Sequence, residues 1–183
     1  MASEEARKRA TEDIEDFLEV YARIMEEKEF KGYDRQLMND LRLIEGNPAG
    51  GATWELPVTE FWANLNGVMH GGAYGVIFDM CTAISMSTIS REGYWEFLAG
   101  VTRSLNISYL KAIPVGTTIR IRATVIQHGK TMALIRGIME SPDGKKVYAT
   151  AEHHKVALAE LPEYSARIRE KRVERRGIRE ARL

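Results

Sequence analysis

Cysteine is nearly missing from this sequence. A single Cys81 among 183 residues excludes an internal disulfide framework and any multi-Cys zinc module. With only four histidines, no structural metal centre is expected. Net charge is missing as well: Lys+Arg (26) equals Asp+Glu (26), which argues against nucleic-acid binding through bulk positive charge. No apolar run reaches the roughly 18 residues of a membrane-spanning helix, so no stable membrane insertion is expected. The opening residues, MASEEARKRATEDIEDF, have no apolar signal core and are too acidic for a transit peptide. These absences point to a soluble protein, cytoplasmic by default, with mitochondrial and peroxisomal placements left open. G-x-S-x-G, H-E-x-x-H, P-loop and Rossmann fingerprints are absent too.

What is present changes character along the chain. Ile14, Phe17, Leu18, Tyr21 and Met25 recur at three- and four-residue steps, which predicts a helix over 3–29 with one apolar face. A short helical or irregular segment is expected over 33–41. The stretch GNPAGGA, residues 46–52, is rich in breakers and suggests a domain boundary. WELPVTEF then reads as a strand, placed at a sheet edge by Pro57. Residues 71–90 form the most apolar segment, expected as a helix buried nearly all round. Four strand-like segments follow, over 99–110, 117–128, 130–140 and 146–157. In the second, Ile119, Ile121, Ala123 and Val125 alternate with polar residues, as in a half-buried antiparallel strand. Ser141-Pro142-Asp143-Gly144 is a turn, with Pro presetting φ and Gly accepting a positive φ. The expected fold class is α+β, a curved antiparallel sheet wrapped around one long central helix.

Three regions result: an N-terminal helical extension over 1–45, the main domain over 46–160, and an Arg-rich tail over 161–183. The charge run of the tail reads most simply as a solvated or frayed helix. The sharper reading is a contact with an anionic surface, such as the acidic N-terminal region of a neighbouring subunit.

Asp79 does not fit its apolar helix. An ionised carboxylate there is costly without donors or a counter-charge. Three readings stay open: it faces solvent, it bonds a local hydroxyl such as Thr82, or it is a working acid in a cleft. Ahead of the helix stand Asn64, His70, Gly71 and Gly72. Two glycines at a helix entrance bare backbone N–H groups at the positive end of the helix dipole, which suits a developing oxyanion. About two turns, roughly 11 Å, separate donor from acid, too far for one carbonyl to meet both. A two-fold pairing of helices closes the gap by setting one chain's Gly71 near the other's Asp79.

The motif Asn64-Leu65-Asn66-Gly67-Val68-Met69-His70-Gly71-Gly72, with Asp79 after a short apolar run, resembles the hotdog-fold acyl-CoA thioesterases of the phenylacetate-pathway and thioesterase superfamily member 2 type. Leu105-Asn106-Ile107-Ser108-Tyr109-Leu110 and Gly129-Lys130-Thr131 are similar to a strand and a hairpin of that family, and the likeness covers about 52–158. It implies hydrolysis of acyl-CoA by a homodimer or dimer of dimers, with the CoA thioester as substrate and no cofactor. It implies the Gly71 N–H as oxyanion donor and Asn64 as the residue that polarises the carbonyl or holds water. Asp79 of the facing subunit would be base or nucleophile. Thr102 stands where the mammalian type carries Ser. His70 would order the loop beside Gly72. Lys111, Lys130 and Lys155 are candidates for the CoA phosphates, with Arg103 and Arg120 behind them. Adjacent His153 and His154 point to opposite faces of a strand and do not chelate together. Two other readings remain: a hydratase or dehydratase using His70, and a non-catalytic acyl-CoA binder.

Overall fold

A computed structural model describes residues 2–98, 100–158 and 164–180. Helix α1 (Glu4–Glu27) opens at Ser3, whose hydroxyl accepts the Ala6 N–H at 3.2 Å. Its apolar stripe, with Ile14, Phe17, Tyr21, Ile24 and Met25 buried, packs into the main core as its spacing predicts. Helix α2 (Tyr33–Asp40) follows, and its Asp40 accepts the indole N–H of Trp62 at 2.7 Å.

Six antiparallel strands form one sheet: β1 (Arg42–Gly46), β2 (Gly51–Pro57), β3 (Val101–Tyr109), β4 (Thr118–His128), β5 (Met132–Glu140) and β6 (Val147–Val156). Their order is β1-β2-β4-β5-β6-β3. Two expectations are corrected here. The breaker stretch 46–52 is the loop of the β1–β2 hairpin, so the sheet already begins within the stretch read as a helical extension. β2 is an interior strand between β1 and β4, not an edge. Pro57 is tolerated because it lies past the last β1–β2 pair, Arg42 with Glu55, where its missing N–H deprives no neighbour.

Helix α3 (Gly71–Ser85) lies on the concave face of the sheet, touching all strands from β2 to β6, and runs on into a 3₁₀ turn over Met86–Thr88. It seats closely because β5 carries Gly137 beneath it. A Cβ there would stand 2.5 Å from the Phe78 ring. Gly137→Ala is therefore expected to destabilise the fold by about 1–3 kcal/mol through overpacking. Denaturant unfolding should show a lower midpoint at an unchanged slope.

The helix is not buried all round. Gly71 and Gly72 are exposed, and Ala73, Gly75, Val76 and Asp79 are half-buried, whereas every residue from Met80 to Ser87 is buried. Asp79 thus sits where an open half meets a sealed half. The adjoining strand, β3, is the free edge of the sheet and is largely exposed. Val101, Tyr109 and Leu110 are each at least half exposed on or beside it.

Helix α4 (Ser165–Glu180) is neither solvated nor frayed over its described length. It buries Ile168 in the core and lays its cations on the acidic side of α1 in the same chain. Arg167 pairs with Glu27 at 2.7 Å, Lys171 with Glu19 at 3.0 Å and Arg175 with Asp16 at 2.8 Å. Of the tail read over 161–183, residues 161–163 and 181–183 lie outside the described residues. Among the described residues, no helix is long and apolar enough to cross a membrane.

Candidate active site

The first group of site residues is built at the N-terminus of α3. His70 is the N-cap, and its Nδ1 accepts the Gly72 N–H at 2.9 Å. The ring therefore orders the loop, and the Gly72 amide is occupied. The Gly71 amide has no acceptor among the described residues. Its surroundings are open, since a Cβ on Gly71 meets nothing within 4 Å. Asn64 closes the preceding turn: its Oδ1 accepts the Asn66 N–H at 2.9 Å, and its carbonyl accepts from Gly67, which has φ +72°. That leaves the Asn64 carboxamide NH₂ as the group able to donate to a ligand. An open groove of about 960 Å³ runs here, lined by Glu60, Asn64, Leu65, His70, Gly71 and Val115.

The second group surrounds Asp79. Thr102 Oγ1 donates to Asp79 Oδ1 at 2.5 Å. Thr102 reaches the helix because β3 carries a bulge between Thr102 and Ser104. Leu105 and Ile107 already face the core, and an odd spacing would otherwise turn Thr102 outward. His153, fully buried on β6, places Nε2 2.9 Å from Thr102 Oγ1 and 3.4 Å from Asp79 Oδ1. Its Nδ1 lies 2.6 Å from Thr82 Oγ1. Burial above all, with the Lys155 charge adding to it and Asp79 opposing, pushes the His153 imidazole down to about 4. At neutral pH the ring is uncharged. The uncharged ring is held between two hydroxyls, Thr82 at Nδ1 and Thr102 at Nε2, and through Thr102 it is linked to the carboxylate.

Sequence reasoning missed His153. On a strand the partner that shares a face is two residues away, and that partner is Lys155. Lys155 is 2% exposed and pairs in register with Thr102 across β3–β6. It is buried and not at a cleft mouth, so it does not meet the phosphate role expected of it. Burial lowers its ammonium to about 8, with the Asp79 charge resisting. Lys111 and Lys130 are exposed, the first after β3 and the second in the β4–β5 turn. Arg103 leans on Met132, and Arg120 pairs with Glu55 at 3.1 Å. Cys81 is buried, which pushes its thiol up and leaves it protonated.

Within one chain the two groups stay apart. Eight helical residues put Asp79 about 12 Å along the axis from Gly71. The direction of travel is informative: the Tyr109 hydroxyl donates to the Gly71 carbonyl at 3.0 Å, while Asp79 meets Thr102 at the other end of β3. α3 and β3 therefore run in opposite senses side by side.

A family model described as "Thioesterase superfamily" matches residues 66–148. Acyl-coenzyme A thioesterase 13 of Mus musculus is 26% identical over 124 residues, covering 68% of this chain and 84% of that protein. The Homo sapiens protein of the same name is 26% identical over 120 residues, covering 66% and 81%. Among solved structures, zebrafish thioesterase superfamily member 2 superposes with a TM-score of 0.62 at 28% identity, over 69% of this chain and 87% of that one. A thioesterase protein from Streptococcus pneumoniae with coenzyme A, at 17% identity, shares the fold with a TM-score of 0.59 over 68% of this chain and 90% of that one. The family match spans α3 and three of the strands, and the sheet wrapped on α3 is a hotdog fold, so over residues 66–148 the chain is similar to the thioesterase superfamily.

Proposed function

We propose that the chain hydrolyses acyl-CoA thioesters to free acid and CoA at a site shared across a homodimer. The match of residues 66–148 to the thioesterase superfamily supports the thioester-hydrolase reaction, and the named relatives support acyl-CoA as the substrate class. The observation that carries the shared site is the opposed course of α3 and β3. β3 is an open edge. Two copies pairing it antiparallel about a two-fold axis set the Thr102 end of one strand against the Tyr109 end of the other. Asp79 of one protomer then faces the partner's Gly71, across apolar faces that each chain leaves uncovered.

In this reading the Gly71 N–H and the Asn64 carboxamide hold the thioester carbonyl as its oxygen gains charge. Asp79 either takes a proton from water as it attacks or attacks the carbonyl carbon itself. The C–S bond breaks and the CoA thiolate leaves; a thiol with a pKa near 8.5 needs no strong acid to depart. Thr102 and the neutral His153 fix the carboxylate. Lys111, just past β3, and Lys130, in the β4–β5 turn, are exposed cations available to the CoA phosphates. The hydratase reading loses ground because His70 Nδ1 is committed to the Gly72 amide.

The test is thiol release, followed with a thiol-reactive dye, over a panel of short, long and aryl CoA thioesters. Release of CoA from at least one member, with one acid formed per thiol, is the expected result. CoA thioesters that bind but are never cleaved would instead make the chain a binding module.

A further inference from the structure

We propose that Lys155 is a positioning residue that keeps Asp79 ionised once a second copy covers the open face of α3. The inference rests on the shared-site reading above. In the single chain the Asp79 side chain is 37% exposed and water still solvates it. Covering that face removes water, and desolvation drives a carboxyl toward its neutral form, useless as a base or nucleophile. Something must oppose this.

The groups around the carboxylate are few. On α3, the buried Cys81 thiol is uncharged and Thr82 carries only a hydroxyl. From β3 comes the Thr102 hydroxyl, one donor to Oδ1. From β6 come His153 and Lys155, with His154 on the opposite face of the strand. His153 stays neutral over the working pH range, because burial and the Lys155 charge both disfavour its protonation. Among the described residues Lys155 is left as the cation on this face of β6. The β3 bulge brings Thr102 inward directly opposite Lys155, so the hydroxyl that bonds Asp79 and the ammonium share one rung of the sheet. On its other side Lys155 pairs with Ala133 of β5, which carries no charge. A buried ammonium is itself costly without a counter-charge, and Asp79 is the one that favours its protonated form. The Asp79 charge favours the protonated Lys155, and in this proposal the ammonium in turn holds the carboxylate.

The experiment uses the full-length protein and an acyl-CoA that it hydrolyses. The acidic limb of the kcat/KM–pH profile is expected to move up by a pH unit or more in Lys155→Met and to return in Lys155→Arg. A lysine that merely supported packing would lower the amplitude and leave the limb where it was, and an unmoved limb in a folded Lys155→Met overturns the proposal. Should that variant not fold, lysine Nζ NMR of the wild type and Asp79→Asn decides. The Lys155 midpoint, near 8 in the wild type, is expected to fall by a further unit or more when the carboxylate is removed. An unchanged midpoint overturns the proposal. Turnover of the same Asp79→Asn protein separates the two ideas. Full activity there sinks the site reading. Lost activity with an unmoved Lys155 midpoint sinks this inference alone.

Discussion

Asp79→Asn should lower kcat for acyl-CoA hydrolysis by about 10²–10⁴-fold, the span expected when an acid–base group is lost. The substitution is close to isosteric. Thr102 can still donate to the remaining carbonyl oxygen, so the bulge, the His153 contact and the seat of α3 all persist. What disappears is the negative charge and the lone pair that takes a proton or attacks carbon. The loss should fall on kcat more than on KM, since nothing that holds CoA is touched. One side effect follows from Lys155. Without Asp79 its buried ammonium has no counter-charge, so the variant should unfold more easily at pH 7. The deficit should shrink as pH rises toward about 8 and vanish above it, where Lys155 has shed its proton in the wild type as well. Unfolding midpoints at the two pH values, measured beside the kinetics, separate lost chemistry from lost structure. Wild-type turnover in this variant would remove Asp79 from the mechanism.

The sequence made much of the fold legible, for physical reasons that differ by element. α1, β4 and the Ser141–Gly144 turn could be read because each answers to a local period or a local φ preference. α3 was harder. Its open half, with Gly71, Gly72, Ala73, Gly75 and Val76, carries no charge before Asp79, the composition expected of a face that a second copy covers in the proposed dimer. Hydropathy does not distinguish the two. The β3 bulge has no residue signature either, so only the family resemblance singled out Thr102. His153 was visible in the alternation of β6, where it shares a face with Lys155, but setting it aside as a metal ligand left its inward face unread. The Arg-rich α4 looked like a solvated charge run because its acidic partners, Asp16, Glu19 and Glu27, lie far away in the chain. Local charge patterning carries no record of such pairing.

Gly71→Pro should be nearly as damaging as Asp79→Asn, and the two together test where the site is. Gly71 is the first residue of α3, a position that accepts proline because its N–H is unused by the helix. His70 has φ −67° and ψ 136°, an extended conformation that a following proline favours. The open space around Gly71 receives the ring. The substitution therefore deletes one hydrogen-bond donor and disturbs little else. Loss of an oxyanion donor costs about 10²–10³-fold in kcat. Asp79→Asn and Gly71→Pro chains are then coexpressed with different tags, and the mixed dimer is purified through both. If each site takes Asp79 from one chain and Gly71 from the other, a mixed dimer holds one site with both groups native and one with both altered. It should regain about half the activity of a wild-type dimer, although neither parent is active. If donor and acid belonged to the same chain, every site in the mixed dimer would carry one defect and activity would stay at the parental level. A Gly71→Pro homodimer that is fully active would eliminate the amide from the reaction. Recovery in the mixed dimer has no explanation except a site completed across the two-fold axis.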